Sequence, residues 1–258
     1  MGLITFLSDF GYRDHYVAAV KARLLGLVPA VPVLDLTHAI EPYNVPHAVH
    51  VLGAVFADFP AGTVHLIGVD DHGGARRGWV AASWRGHYFV AADNGILTLL
   101  TDARPDDVVR LPTPAEWPAS PTRDVLAPAA AHLAQGHSLT DLGPLGTELN
   151  PLVNRQLRLQ DHRITGHVVH VDHYGNLVTN ITRTAIEAVG HGRACTVHFA
   201  RESVRGFAPH FQAVDPGDVA CVYNGQGALC IGVNQGHASE LLGLHFDSQV
   251  DVRFAVNE

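Results

Sequence analysis

The stretch "LITFLSDFGYRDHYVAAVKARLLGLVPAVPVLDLTH", residues 3–38, decides the fold class because its apolar pattern changes twice. Residues 3–9, "LITFLSD", predict a strand. Residues 14–29 carry apolar side chains at helical spacing and predict a helix with Asp14 as its N-cap. Residues 31–38 form a second largely apolar run. The stretch therefore predicts a strand, a helix and another strand in succession.

The same alternation continues beyond residue 38. Residues 44–60 repeat the helical pattern, and residues 62–70 form a third, nearly continuous apolar run. Strands and helices in this order predict a parallel sheet with helices on both faces. Residues 78–97 then predict a β-hairpin that turns at Arg85-Gly86. A helix closed by Gly136 is predicted over residues 123–136.

The second part of the chain has a different pattern. Between residues 139 and 163 the apolar periodicity is lost and Pro, Asn, Gly and Gln become frequent, which marks a linker. Short alternating segments separated by turn residues follow, and they predict a small, mostly antiparallel β-domain. We therefore expect an α/β domain over residues 1–160 and a β-domain over residues 161–258.

Composition and charge narrow the class of partner. The 258 residues carry 17 basic and 25 acidic side chains, a net charge of −8 that disfavours nucleic acid and anionic membranes. The N-terminal apolar run meets Asp9 too early for a signal peptide or membrane span, so a cytoplasmic enzyme is expected. Cys195, Cys221 and Cys230 lie far apart in apolar runs and are predicted to be reduced core residues.

Several motifs of cofactor and nucleophile chemistry are missing from the sequence. Neither G-x-G-x-x-G nor G-x-x-x-x-G-K-[ST] occurs, which removes the usual glycine-rich cradles for phosphates. G-x-S-x-G is also missing, and the 18 histidines form no H-E-x-x-H pattern. We expect no cofactor and no metal.

Three acidic segments follow the first three predicted strands. Residues 8–11, 35–38 and 69–72 would lie at the carboxyl edge of a parallel sheet, where ligands of such folds collect. Asp9 at this edge either holds a sugar diol through its carboxylate oxygens or simply caps a helix. Asp93 and Asn94 form a further polar tip at the end of the hairpin.

A polar turn in the β-domain offers a second group of ligand-binding side chains. In residues 171–180, "VDHYGNLVTN", Tyr174 supplies an aromatic ring that can stack on a purine, and Asn176 supplies an amide that can pair with a polar ligand edge. An ordinary β-turn with incidental polarity is the alternative.

In their order along the chain these motifs resemble the S-adenosyl-L-methionine hydrolase and fluorinase family, the S-adenosyl-L-methionine hydroxide adenosyltransferases. The matching segments include "ITFLSDFGYRDHYV", "LDLTHAIEPYNV", "AADNGILT", "RDVLAPAAAHLA", "VDHYGNLVTNI" and "GVNQGHASELLG". The resemblance implies a homotrimer whose sites lie between one subunit's N-terminal domain and its neighbour's C-terminal domain. It also implies attack of water at the ribose C5′ carbon, which yields adenosine and methionine.

The resemblance also implies roles for individual residues. Asp70 matches the aspartate that, with an arginine and a histidine, surrounds the attacking water. Asp9 is expected at the ribose hydroxyls. The other expected substrate-binding residues are Tyr43, Asp93, Asn94, Thr122, Asp172, Tyr174, Asn176, Phe211, Asn234 and Gln235.

Two departures from the family pattern bear on catalysis. The loop "VDDHGGARR" is one residue shorter than the family's "VDPGVGTxRR", so Arg76 or Arg77 supplies the arginine, with Arg76 preferred. Pro121 stands where hydrolases carry their histidine, and proline cannot handle a proton. We hypothesise that His72 restores the imidazole.

Two other functions stay open at this point. Loss of the histidine at Pro121 also fits an adenosyl-ligand binding protein with a weakened catalytic set. Thr122 stands where fluorinases carry a serine near the halide, which fits a halide-dependent transferase. The retained Asp70 would repel a halide anion, so hydrolysis is the preferred function.

Overall fold

The computed structural model describes residues 2–72, 78–101, 105–152 and 156–255. The chain divides into two compact units, residues 1–154 and residues 155–258. Each unit has its own sheet and its own hydrophobic core. Within the described ranges no helix has both the length and the apolar character that a bilayer crossing needs.

The first unit is built on a six-stranded sheet with the order β2-β1-β3-β5-β4-β6. Strands β2, β1, β3 and β5 run parallel, whereas β4 is antiparallel to both of its neighbours. The predicted α/β class with a mostly parallel sheet is confirmed. The strands are β1 (Ile4–Ser8), β2 (Val33–Thr37), β3 (Val64–Gly68), β4 (Trp79–Trp84), β5 (His87–Ala92) and β6 (Asp107–Arg110).

Helices cover both faces of this sheet. Alternate residues of β1 point to opposite faces, so that Ile4 and Phe6 join one core cluster and Leu7 joins the other. The first cluster includes α1 and α4, and the second includes α2 and α3. The helices are α1 (Tyr16–Leu27), α2 (Val45–Val55), α3 (Ile96–Thr101) and α4 (Ala127–Ala134), and a π-helical turn (Thr122–Leu126) leads into α4.

Turn and cap predictions had mixed outcomes. The hairpin turn is confirmed: Arg85 and Gly86 have φ of 50° and 77°, as in the tight turns that match strand twist. Gly136, with φ of 86°, follows α4 as predicted. The predicted N-cap was wrong, because α1 begins at Tyr16 and its N-cap is His15, not Asp14.

The second unit is an antiparallel β-domain, as predicted. Its strands follow the order β11-β10-β14-β8-β9-β13-β12, and β7 pairs with β8 outside this path. Because β7 begins at Arg158, the sheet starts before residue 161. The strands are β7 (Arg158–Gln160), β8 (Arg163–Val171), β9 (Leu177–Thr182), β10 (Cys195–Phe199), β11 (Glu202–Arg205), β12 (Val219–Tyr223), β13 (Ala228–Val233) and β14 (Gln249–Phe254), with helices α5 (Arg183–Gly190) and α6 (Ala238–Leu242).

The three cysteines are buried free thiols in this unit, which confirms their predicted place in the core. Burial is the main cause that raises the pKa of Cys221 and of Cys230 to about 12. Thiols with such values stay protonated at neutral pH and are poor nucleophiles.

A buried histidine pair crosses the first sheet. His65 Nδ1 lies 2.7 Å from Thr5 Oγ1, and His65 Nε2 lies 3.3 Å from His87 Nδ1. Burial, reinforced by His87, lowers the pKa of His65 from 6.5 to about 3. His65 is therefore neutral in the folded protein at any pH near neutrality.

We predict that acid destabilises the first unit through His65. The unfolded chain binds a proton near pH 6.5 and the folded chain only near pH 3, so stability present above pH 6.5 is lost as the pH falls toward 3. At pH 4.5 this loss is about 2–3 kcal/mol. Urea unfolding followed by tryptophan fluorescence reports on this unit, because Trp79, Trp84 and Trp117 all lie in it. His65→Gln should lessen the loss between pH 7 and 4.5, and an unchanged loss would contradict the assignment.

Candidate active site

A cavity of about 390 Å³ opens at the carboxyl edge of the parallel sheet. Asp9 enters it from the end of β1, and residues 70–72 enter from the end of β3. Among the described residues, the lining consists of Asp9, Phe10, Tyr16, Pro42, Tyr43, Asp70, Asp71, His72, Ala119, Ser120 and Pro121. The two acidic segments that follow β1 and β3 therefore converge, as the strand order predicted.

The acidic segment after β2 lies outside this lining, contrary to the predicted convergence of all three. Asp35 Oδ2 accepts a hydrogen bond from Lys21 Nζ at 2.9 Å, and Asp35 Oδ1 lies 3.3 Å from His38 Nε2. His38 is buried, and its Nδ1 lies 2.7 Å from Ser8 Oγ. These contacts tie the end of β2 to α1 through Lys21 and to β1 through Ser8.

The Asp9 carboxylate joins two loops of the cavity wall. Asp9 Oδ2 accepts the backbone N–H of Tyr43 at 2.9 Å and that of Asp70 at 3.2 Å. Both donors have left-handed backbones, with φ of 64° at Tyr43 and 45° at Asp70. Such a backbone costs a residue other than glycine roughly 1–2 kcal/mol. The hydrogen bonds to Asp9 offset part of that cost and fix both residues at the cavity.

The environment of Asp9 favours a cationic ligand. Burial is the main cause that raises its pKa, the negative charge of Asp71 raises it further, and the N–H groups of Tyr43 and Asp70 oppose the rise. A partly buried carboxylate near a second one gains most from a positive charge bound nearby.

Asp71 lines the cavity and binds Thr122. It was not among the predicted site residues. Its Oδ2 accepts the Thr122 backbone N–H at 3.0 Å and the Thr122 hydroxyl at 2.5 Å. Its Oδ1 lies 3.0 Å from His72 Nδ1, and its carbonyl accepts Trp79 Nε1–H at 2.9 Å. In the sequence Asp71 is one more loop acid, since Thr122 is 51 residues away.

Thr122, for which the resemblance implies a substrate contact, is not among the described residues that line the cavity. Thr122 is fully buried, and its hydroxyl donates to Asp71 instead. It also packs closely on β3: a Cβ added at Gly68 would lie 2.8 Å from Thr122 Oγ1. Pro121 does line the cavity, as its position in the sequence predicted.

Asp93 and Asn94 also support the site instead of lining it. Asn94 Nδ2 donates to the carbonyls of Val69 at 2.9 Å and Asp70 at 3.3 Å. Asp93 is buried and accepts from Arg110 Nη2 at 2.8 Å and from the Asn150 backbone N–H at 2.8 Å. Neither residue is among the described residues that line the cavity, and the substrate contacts that the resemblance implies for them stay predictions.

Asp70 lies at the cavity, as the sequence predicted. The two arginine candidates for its partner, Arg76 and Arg77, lie outside the described residues. The choice between them stays a prediction.

The second unit carries a separate hollow of about 650 Å³ at the ends of β9 and β13. Five predicted ligand-binding residues meet there, together with two residues that sequence reasoning missed, Gln212 and His237. In the part of the chain that the structure describes, the residues that line it are Tyr174, Asn176, Phe211, Gln212, Val233, Asn234, Gln235, Gly236 and His237.

Asp172 stands behind this hollow and shapes it. Its Oδ1 accepts the backbone N–H groups of Tyr174 and Asn176, each at 2.9 Å, and its Oδ2 accepts Asn176 Nδ2 at 2.9 Å. Asp172 therefore holds the turn, and the substrate contact that the resemblance implies for it stays a prediction.

Phe211 and Asn176 lie against the backbone of β13. A Cβ added at Gly232 would collide with Phe211 Cε1 and Asn176 Oδ1, so this position requires glycine. Asn234 Nδ2 donates to the Val214 carbonyl at 2.7 Å and so holds the loop that carries Phe211. Gln235 has a left-handed backbone with φ of 59°.

Comparison with known proteins matches both units to one family. Residues 4–143 match the family model of the SAM hydroxide adenosyltransferase N-terminal domain, and residues 166–251 match that of its C-terminal domain.

Curated proteins similar to the chain carry two activities. An (R)-S-adenosyl-L-methionine hydrolase of Thermus thermophilus is 36% identical over 93% of this chain and 95% of its own length. A protein of the same name from Salinispora arenicola is 32% identical over 96% of this chain and 97% of its own. A fluorinase of Nocardia brasiliensis is 27% identical over 80% of this chain and 79% of its own.

Two solved structures are similar to the chain over nearly its whole length. An uncharacterized conserved protein from Thermotoga maritima superimposes with a TM-score of 0.88 at 30% identity, over 97% of this chain and 99% of that one. A conserved hypothetical protein from Thermus thermophilus gives 0.78 at 34% identity, over 99% of this chain and all of that one (100%).

We predict that Asp9→Ala lowers the free energy of unfolding of the first unit by about 1–3 kcal/mol, because two strained N–H groups lose their acceptor. Asp9→Asn is the matched variant, since an amide oxygen can still accept both hydrogen bonds. Its free energy of unfolding should fall by less than half as much as that of Asp9→Ala. Urea unfolding followed by tryptophan fluorescence measures both. Equal losses in the two variants would show that the hydrogen bonds do not hold the loops.

Proposed function

The chain belongs to the SAM hydroxide adenosyltransferase family, and on that premise we propose that it hydrolyses S-adenosyl-L-methionine to adenosine and L-methionine. A water oxygen bonds to the ribose C5′ carbon while the C5′–S bond breaks and its electron pair stays on sulfur. The water proton leaves, so the products are adenosine, methionine and one proton. The observation that carries the proposal is the cavity in which Asp9 and Asp70 meet at the sheet edge.

The reaction requires a positioned water molecule more than it requires acid catalysis. A sulfonium is already a good leaving group, so no residue needs to protonate it. We assign Asp70 to orienting the water, because it lies at the cavity and its backbone is fixed by Asp9. An ionised carboxylate has about four acceptor positions, so Asp9 can hold the ribose hydroxyls while it accepts two amides.

The hollow of the second unit suits the rest of an adenosyl ligand. Tyr174 and Phe211 supply aromatic faces on which adenine can stack, and Asn176, Asn234 and Gln235 supply polar groups beside them. We propose that these five residues bind the adenine ring and the polar groups of the ligand that lie next to it.

The halide-dependent alternative is weakened by the position of Thr122. That side chain suggested a halide site, yet it is fully buried and donates to Asp71. Asp70 lies in the cavity, where its charge opposes an anion.

We predict that the purified protein converts S-adenosyl-L-methionine to adenosine and that, in ¹⁸O-labelled water, one ¹⁸O enters the 5′-hydroxyl. The hydrolase relatives are named for the (R) form, so the (R) and (S) sulfonium epimers are supplied separately and the (R) epimer should react. Asp70→Asn should lower kcat by about 100-fold. Asp107→Asn, an exposed carboxylate at the start of β6, is the matched control and should leave kcat unchanged.

Mass spectrometry of the products and calorimetry distinguish hydrolysis from the halide-dependent and the binding-only alternatives. A 5′-halo-adenosine formed on addition of chloride or fluoride would favour the transferase. Tight adenosine binding by calorimetry without turnover would favour a binding protein. Either result would overturn the hydrolase proposal.

We further propose a homotrimer in which the first unit of one subunit and the second unit of its neighbour bind one substrate. The support is the family resemblance and the division of the predicted ligand residues into two sets, one in each unit. A cytoplasmic location also stays a prediction.

Subunit complementation tests this assembly. Asp70→Asn and Asn176→Ala subunits should each be nearly inactive, and hybrid trimers that contain both should recover about a third of wild-type activity, since one of their three sites combines two intact halves. Co-expression with two affinity tags isolates the hybrids, and light scattering gives the mass. A monomeric mass, or hybrids as inactive as their parents, would rule the shared site out.

A further inference from the structure

The turn that follows β3 places a buried carboxylate directly behind an exposed imidazole at the cavity. We propose that Asp71 and His72 form a dyad that accepts the proton of the attacking water, with Thr122 holding the dyad in place. This inference rests on the proposed hydrolysis and names the group that handles its proton.

Asp71 is held on several sides. Its side chain is 5% exposed, its Oδ2 accepts two hydrogen bonds from Thr122, and its carbonyl accepts Trp79 Nε1–H. Thr122 is itself fully buried at the start of the π-helical turn. A carboxylate restrained in this way can orient a neighbouring ring but cannot turn toward the substrate.

His72 has the geometry of a ring oriented by a carboxylate. Its Nδ1 lies 3.0 Å from Asp71 Oδ1, its side chain is 74% exposed, and it lines the cavity with Asp9 and Asp70. An ionised carboxylate only accepts hydrogen bonds, so Nδ1 carries the ring proton and Nε2 keeps a lone pair. A carboxylate fixes the tautomer of catalytic and metal-binding histidines in the same way.

The other groups at the cavity are less suited to the task. Tyr16, Tyr43 and Ser120 are hydroxyls, which are weak proton acceptors at neutral pH. Asp9 already accepts two backbone amides, and Asp70 is assigned to orienting the water. Among the described residues of the lining, His72 supplies the one imidazole, the group whose basicity best matches neutral pH.

The step balances without a further reactant. The water oxygen forms its bond to C5′ as the C5′–S bond breaks, sulfur keeps the electron pair, and methionine leaves as a neutral thioether. One water proton passes to His72 Nε2, and the ring returns it to solvent after adenosine has formed.

The main test removes the imidazole and then supplies it from solution. His72→Ala should lower kcat by about 100-fold and leave KM within about twofold, and millimolar imidazole should restore at least tenfold of the loss. His72→Gln should remove the acidic limb of the kcat/KM profile that wild type shows. His162→Ala, an exposed histidine in the second unit, is the matched control and should behave as wild type.

A second variant tests the orienting carboxylate. In Asp71→Asn the amide oxygen can still accept from Thr122, while its NH₂ group donates to His72 Nδ1 and moves the ring proton to Nε2. The imidazole then presents a donor to the water, so kcat should fall at least tenfold with KM unchanged. An urea midpoint close to that of wild type would confirm that the fold is intact.

The outcomes separate the dyad from the hydrolysis itself. Wild type that forms adenosine while His72→Ala keeps the wild-type kcat and pH profile would overturn the dyad alone. A slow His72→Ala variant that imidazole does not rescue would give His72 a structural role and also overturn the dyad. Wild type that forms no adenosine from either epimer would overturn both proposals.

Discussion

The two hydrogen bonds that Asp9 Oδ2 accepts are the constraint on which the first cavity depends. Their donors, Tyr43 and Asp70, both have left-handed backbones that side chains normally avoid. One carboxylate at the end of β1 therefore fixes the loop before α2 and the turn after β3 at the same point. Remove that acceptor, and the residues that define the opening lose the contact that holds their backbones.

The turn after β3, which Asp9 holds through the backbone of Asp70, also places a second carboxylate. The turn after β3 carries Asp70 to the cavity and, one residue later, buries Asp71 against Thr122. Asn94 supports the same turn from the hairpin side by binding the carbonyls of Val69 and Asp70. Three parts of the chain that are distant in sequence thus position two carboxylates, Asp70 half-buried and Asp71 buried, that have different uses.

The sequence predicted the fold more completely than the site. Buried parallel strands such as β1 and β3 are mostly apolar, and the Arg85-Gly86 turn has a local signature, so both could be predicted from neighbours along the chain. The roles of Thr122, Asp93 and Asn94 were not predictable in this way, because they depend on partners tens of residues away. Asp14 failed for a smaller reason: the helix starts one residue later than its polar pattern indicated.

The close contact between Gly68, Thr122 and Asp71 links two properties that an engineer would want to change separately. The resemblance places Thr122 where fluorinases carry a serine near the halide, yet here its hydroxyl holds the carboxylate beside His72. A substitution intended to admit a different nucleophile would also disturb proton handling, and the missing side chain at Gly68 leaves little space to compensate. A change of reaction in this chain would thus require coordinated substitutions on β3, its following turn and the start of the π-helical segment.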